Sequence, residues 1–260
     1  MVEPDTMEKV NVNQIIKAKA AGRKIAMLTA YDYPLAKILD EAGIEIVLIG
    51  DSLGNVALGY RDTLPVTIEE MIIHTRAVAR AVKRALVVAD MPFGSFQNGP
   101  DAAVANAVKL VKAGAEAVKI EGANYLPAIK RIIRAGIPVM GHLGFTPQSV
   151  NLLGYRIQGR ERAAAIKLLK DAKALAKAGC FAIVLEMIPE TLAGKISRAL
   201  KIPTIGIGAG KKVDGQVLVT QDLLGLYDRP PSFVKKYLDL NKLIRRAISK
   251  YIEELRSKRP

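Results

Sequence analysis

The phrases Lys112-Ala113-Gly114-Ala115, Arg134-Ala135-Gly136-Ile137 and Lys177-Ala178-Gly179-Cys180 recur along the chain, and each leads within two residues into an apolar run. A cation followed shortly by glycine suits the end of a helix, where free carbonyls carry partial negative charge and glycine accepts the left-handed turn that stops it. The run that follows reads as a buried strand. Working outward, strand-like segments fall at Lys24 to Ala30, Ile44 to Gly50, Leu86 to Ala89, Ala117 to Ile120, Pro138 to Gly141, Ala182 to Leu185, Thr204 to Ile207 and Gln216 to Val219. Helical patterns fall at Tyr33 to Ala42, Ile68 to Val82, Asp101 to Lys112, Leu126 to Arg134, Glu161 to Lys177 and Thr191 to Leu200, with a last one at Pro231 to Leu255.

The strands are continuous apolar runs, as expected of a parallel sheet covered on both faces. Eight of them, mostly separated by one helix in 260 residues, match a single (β/α)8 TIM barrel occupying 1–260, with a short polar N-terminal lead-in and a C-terminal helix. A doubly wound open sheet is the alternative, because element order does not reveal strand order. The longest non-periodic stretches, Ser52 to Thr67 and Leu143 to Arg160, follow strand ends, where a barrel builds and covers its active site.

The formal charge of +14 would suit nucleic acid if the cations formed one aromatic-flanked patch. Instead they are spread over helix faces, as at Lys167, Lys170, Lys173 and Lys177, with a denser cluster from Lys235 to Arg259. Neither a nucleic-acid nor a membrane partner is expected: the longest apolar runs fall far short of the ~20 residues that span a bilayer. The one cysteine, Cys180, cannot form an intramolecular disulfide, which points to a reducing cytoplasm. It stands at the start of its strand, on the rim away from any active site.

Ionisable residues gather at the C-terminal tips of the apolar runs, where packing gives no reason for them: Asp51 with Ser52, Asp90, Lys119 with Glu121, His142, and Glu186. Barrel active sites are built on that rim. Asp51, Asp90 and Glu121 form an oxygen-rich set suited to magnesium, although any one of them could equally be a helix cap or an ion-pair partner. Lys119 should point into the barrel mouth, there to stabilise an enolate, hold a carboxylate or pair with a neighbouring acid. Glu186, followed by apolar Met187, Ile188 and Pro189, is the choice for general base, since an apolar setting tends to raise a carboxyl pKa. His142, between glycines, is an accessory candidate that could equally be structural. His74 falls inside a helix, away from catalysis. Gly206-Ile207-Gly208-Ala209-Gly210 reads either as a tight turn or as a phosphate cradle.

Several of these segments are long and unusual. Thr29-Ala30-Tyr31-Asp32-Tyr33, Gly50-Asp51-Ser52-Leu53-Gly54, Thr63-Leu64-Pro65-Val66-Thr67, Ala89-Asp90-Met91-Pro92-Phe93, Val118-Lys119-Ile120-Glu121-Gly122, and Gly141-His142-Leu143-Gly144 running into Thr146-Pro147-Gln148-Ser149 resemble the ketopantoate hydroxymethyltransferases. The resemblance implies a (β/α)8 barrel, one Mg2+ per subunit, 5,10-methylenetetrahydrofolate as one-carbon donor, 3-methyl-2-oxobutanoate as substrate, and a homodecamer. It also implies metal ligands at Asp51, Asp90 and Glu121, oxo-acid contacts at Asp51, Ser52, Asp90 and Lys119, and the proton acceptor at Glu186. A magnesium-dependent C–C lyase or mutase on the same barrel is the alternative activity. The sequence departs from the family pattern at Met187-Ile188, where a cysteine-containing pair is expected, and at Arg229-Pro230-Pro231.

Overall fold

The structure, a computed structural model, describes residues 8–227 and 231–257. Eight strands, β1 (Ile25–Thr29), β2 (Ile46–Ile49), β3 (Leu86–Asp90), β4 (Ala117–Glu121), β5 (Val139–Gly144), β6 (Ala182–Glu186), β7 (Thr204–Ile207) and β8 (Gly215–Leu218), close a barrel in sequence order. Adjacent strands from β1 through β8 pair in parallel. The open-sheet alternative is thereby excluded.

The helices are α1 (Val12–Ala20), α2 (Tyr33–Glu41), α3 (Leu53–Val56), α4 (Ile68–Ala81), α5 (Pro100–Lys112), α6 (Leu126–Arg134), α7 (Val150–Leu153), α8 (Arg162–Ala178), α9 (Glu190–Ala199), α10 (Thr220–Leu223) and α11 (Leu240–Ser257). Glycine ends α8 as the recurring phrase requires: Gly179 is left-handed at φ 101°. No helix separates β7 from β8. The chain forms two compact units, Met1–Val217 and Leu218–Pro260. No helix among the described residues is long and apolar enough to cross a membrane.

Because a strand alternates its side chains, each strand feeds two cores. Ile46 and Leu48, Leu86 and Val88, Ala182 and Val184 turn inward with Met27, Ala117, Met140, Ile205 and Val217. Val47, Ile49, Val87, Ala89, Val118, Ile120, Ile183 and Leu185 turn outward against helix residues such as Met71, Leu110, Ile129 and Leu175.

Two expectations need correction. The polar lead-in contains a helix: Asn11 and Gln14 form a reciprocal capping box, and α1 buries Ile15 and Ala18 against the inward set of the barrel. The apolar positions there are too few, and too interleaved with lysine, to announce a helix by periodicity. The last helix begins at Leu240 and not at Pro231, because Asp239 accepts from the Lys242 amide and starts the helix there. Arg229, Pro230, Lys258 and Arg259 lie outside the described residues.

Asp214 fastens the barrel floor. Its Oδ2 accepts from Lys19 Nζ at 2.9 Å, Ser197 Oγ at 2.9 Å, Thr204 N at 2.8 Å and Thr204 Oγ1 at 2.9 Å, joining α1, α9 and β7. Burial pushes the carboxyl pKa up, but these donors outweigh it and hold the value below the ordinary carboxylate range. A depressed folded-state pKa contributes stability that is complete above the unfolded value of ~3.9 and is lost as pH falls through the folded value. Asp214→Ala is therefore expected to lower unfolding free energy by about 1–3 kcal/mol at neutral pH, with the deficit shrinking below about pH 4; urea unfolding at several pH values measures both.

Candidate active site

Continuing the inward alternation of each strand to its C-terminal tip replaces the apolar layer by a polar one. Asp90 follows Leu86 and Val88; Lys119 and Glu121 follow Ala117; His142 follows Met140; Glu186 follows Ala182 and Val184. Parallel register then fixes the neighbours. Asp90 is the Cα partner of Lys119, and Glu121 that of His142.

These adjacencies produce a chain of contacts. The Lys119 ammonium pairs with Asp90 Oδ1, both side chains buried. His142 Nδ1 lies 3.2 Å from Glu121 Oε1 and its Nε2 3.2 Å from Glu186 Oε2. Both imidazole contacts are at ion-pair distance without hydrogen-bond alignment. Asp51, just past β2, donates its amide to Asp90 Oδ2 at 3.0 Å. Ser52 Oγ lies 2.8 Å from the Tyr31 hydroxyl.

Gln148 and Tyr31 join the site without having been singled out as site residues. Gln148 Nε2 donates to Asp51 Oδ2 at 2.8 Å and to the Met91 carbonyl at 2.9 Å, while its amide donates to Glu121 Oε2 at 3.0 Å. Both lie in segments that carry the family resemblance, and that was the available signal. Neither ends an apolar run, so strand-tip reasoning passes over them.

Burial dominates the electrostatics. It pushes the Asp51 carboxyl well above its ordinary range, reinforced by the charges of Asp90 and Glu121. Asp90 is raised too, by burial first, against the opposing effect of Lys119. For Lys119 burial works against the charge, but Asp90, Glu121 and Asp51 outweigh it and hold the ammonium protonated. For His142 burial and Lys119 both oppose protonation, yet Glu121 and Glu186 prevail and lift the value to about 9. The hydroxyl of Tyr31 is raised by burial and stays neutral.

Glu186 differs in setting from the apolar pocket expected of it. Its side chain is 15% exposed, against 3% for the imidazole it faces, so it looks onto His142 at one side and the barrel mouth at the other. The following residue, Met187, is left-handed at φ 46°, an unfavourable conformation for a side-chain-bearing residue. Hydrogen bonds hold it on both sides: its amide donates to the Ile207 carbonyl at 2.9 Å, and its carbonyl accepts from the Gln158 amide at 2.8 Å.

The remaining candidates sort by position. Cys180 is buried two residues before β6, and burial pushes its thiol up to about 12, which leaves it unreactive. His74 sits in α4 with Nδ1 2.6 Å from the Tyr31 carbonyl. The glycine-rich segment after β7 is a packed turn: Glu190 accepts from the Lys211 amide at 2.9 Å, and a Cβ on Gly210 would lie 2.3 Å from Glu190 Cγ. Glu190 thus packs directly on this turn and takes up one of its amides.

A closed parallel barrel carrying buried acids, a lysine and a histidine on its C-terminal rim defines a barrel enzyme with acid–base and carboxylate chemistry at one mouth. Residues 9–259 match the family model described as ketopantoate hydroxymethyltransferase. The chain belongs to that family and is accordingly a transferase.

Relatives named 3-methyl-2-oxobutanoate hydroxymethyltransferase include one from Carboxydothermus hydrogenoformans, 55% identical over 96% of this chain and 92% of its own. Another, from Pyrobaculum calidifontis, is 52% identical over 95% and 94%. Among solved structures the fold is similar to a phosphoenolpyruvate phosphomutase from Streptomyces platensis subsp. rosaceus, with TM-score 0.63 and 14% identity over 94% of this chain and 88% of that one. It is also similar to a phosphonopyruvate hydrolase in complex with oxalate and magnesium, with TM-score 0.62 and 13% identity over 94% and 99%. At these identities the likeness is one of fold.

Gly144 tests how tightly the rim is built. It is the Cα partner of Glu186, adopts φ 100°, and a Cβ there would lie 2.0 Å from the Glu186 carbonyl oxygen. Gly144→Ala is expected to cost about 1–3 kcal/mol in stability and to lower kcat tenfold or more by displacing Glu186. Steady-state kinetics alongside thermal unfolding reads both effects.

Proposed function

We propose that this chain transfers a hydroxymethyl group from 5,10-methylenetetrahydrofolate to 3-methyl-2-oxobutanoate, giving 2-dehydropantoate and tetrahydrofolate, on the way to pantothenate and coenzyme A. The observation that carries the reading is the polar layer closing an otherwise apolar barrel interior, buried Asp90, Lys119, Glu121 and His142 with the partly exposed Glu186, in a chain of this family.

The donor set fits one magnesium ion. Asp51, Asp90 and Glu121 offer only oxygens, and burial raises the Asp51 and Asp90 carboxyls even with Lys119 present, a shift that a bound cation would offset. Among the described residues no three His, Cys, Asp or Glu side chains are gathered closely enough to hold a metal directly. Magnesium commonly binds through one or two carboxylates and keeps several waters, so of Asp51, Asp90 and Glu121 one or two would hold it directly and the rest through its waters. When bound, the ion would supply Lewis acidity to the oxo acid's keto group and make the adjacent C3 proton more acidic.

The chain's own residues do the rest. Asp51, Ser52, Asp90 and Lys119 receive the oxo acid at the strand tips. Lys119, buried and charged, faces the negative charge that develops on the substrate as C3 is deprotonated. Glu186, the partly exposed carboxylate, takes the C3 proton; His142, held between it and Glu121, orients that carboxylate. The resulting enolate forms a C–C bond to the donor's methylene carbon, which has opened from one of its two nitrogens; water then displaces the other nitrogen, its hydroxyl staying on the carbon and its proton going to the released tetrahydrofolate. Self-association into a homodecamer and a cytoplasmic setting belong to the same reading. Self-association is supported by α11, whose Ile244, Ile248, Tyr251 and Leu255 form an exposed apolar face.

The test is deuterium exchange at C3 of 3-methyl-2-oxobutanoate followed by NMR with magnesium and no folate. Glu186→Gln is expected to slow both exchange and turnover at least ~100-fold; near-native turnover in that variant would sink the base assignment. Asp90→Asn is expected to weaken magnesium binding about tenfold or more by titration calorimetry, and an unchanged affinity would remove Asp90 from the ligand set.

A further inference from the structure

Beside the rim, a cavity of about 460 Å3 lies in the groove between α8 and α9. Its lining carries three cations, Arg160, Arg162 and Lys195, and no carboxylate. Among the described residues none of the three makes an ion pair. Like charges converging on one concave surface repel one another unless an anion occupies it. The buried Leu192 and half-buried Leu169 give the cavity an apolar base, exposed Ile166 an apolar flank, and Thr191 a hydroxyl. Both helices begin at this cavity without a side-chain cap, and Glu190 in the first turn of α9 is engaged by the Lys211 amide.

The cavity is tied to the catalytic carboxylate. Pro189 on its wall is three residues beyond Glu186, a reach of about 11 Å at most. The loop bearing Gly159 and Arg160 is fastened there by the Gln158 amide, which donates to the Met187 carbonyl at 2.8 Å. On that loop Tyr155 is 67% exposed and Ile157 38%, an aromatic and an aliphatic surface placed ahead of the cations in the sequence. A ligand with a flat aromatic body and a flexible tail of carboxylates supplies a partner for both kinds of surface.

We infer that the α8–α9 groove binds the carboxylate tail of the one-carbon donor, with Arg160, Arg162 and Lys195 as its anion receptors. The inference rests on the folate-dependent reading above and adds a preference to it: a donor carrying several γ-linked glutamates binds better than one carrying a single glutamate. Each guanidinium–carboxylate contact made in this half-enclosed groove contributes to donor affinity and none to the oxo acid.

The experiment compares KM for monoglutamyl and pentaglutamyl 5,10-methylenetetrahydrofolate in the wild-type enzyme, in Arg162→Glu and Lys195→Glu, and in Arg80→Glu. The last reverses a charge in the separate basic cluster of Arg76, Arg80 and Lys112, at the far ends of α4 and α5. The pentaglutamyl donor is expected to show a KM about tenfold lower in the wild type and in Arg80→Glu, and to lose that advantage in Arg162→Glu and Lys195→Glu. Donor-free C3 exchange, measured in parallel, reports that each variant is folded and that the oxo-acid site works. Equal KM values for the two donors in an exchanging, active wild type overturn the inference and leave the proposed function standing, as does an advantage that survives both charge reversals. A wild type that neither exchanges nor turns over overturns both.

Discussion

A parallel strand turns every second side chain toward the barrel axis, and a closed barrel leaves no edge at which that alternation can slip. The strand-borne side chains of the rim follow from this constraint. Once Ala117 faces the axis, Lys119 and Glu121 must face it too; once Ala182 and Val184 do, so must Glu186. The register then sets the pairings, Asp90 beside Lys119 and Glu121 beside His142, before any side-chain rotamer is chosen. The apolar layers below hold the backbone, and the polar layer at the tips inherits their rigidity.

That rigidity is what the buried charges need. A lysine and an aspartate removed from water cost more than their mutual attraction returns unless the geometry is fixed and other partners complete it. Asp90 is completed by the Asp51 amide, Asp51 by Gln148, and Glu121 by the Gln148 amide and His142. Removing one partner leaves its neighbour buried with an unmet charge, so the site and the upper part of the barrel are coupled in stability.

Much of this was legible in the sequence because barrel strands are written as uninterrupted apolar runs, and a charge at the end of such a run has nowhere to go but the mouth. The expected strands coincide with the observed ones to within a few residues, Thr204 to Ile207 without any difference. Asp51, Asp90, Lys119, Glu121, His142 and Glu186 all lie on one rim for the same reason. Gln148 and Tyr31 were not legible as site residues, since they enter from loops whose path depends on tertiary contacts and not on periodicity. The helix α1 was missed because its signal is a reciprocal cap between Asn11 and Gln14 and not an apolar stripe. Nothing in the residue types announced the left-handed Met187, which only the bonds from Gln158 and to Ile207 explain.

The helix α1 has a further consequence. By seating Ile15 and Ala18 under the inward-facing residues of the strands, it covers the end of a barrel whose interior those residues already fill. Traffic is then one-way in and the same way out. Any molecule bound at the strand tips therefore arrives and departs through that one mouth.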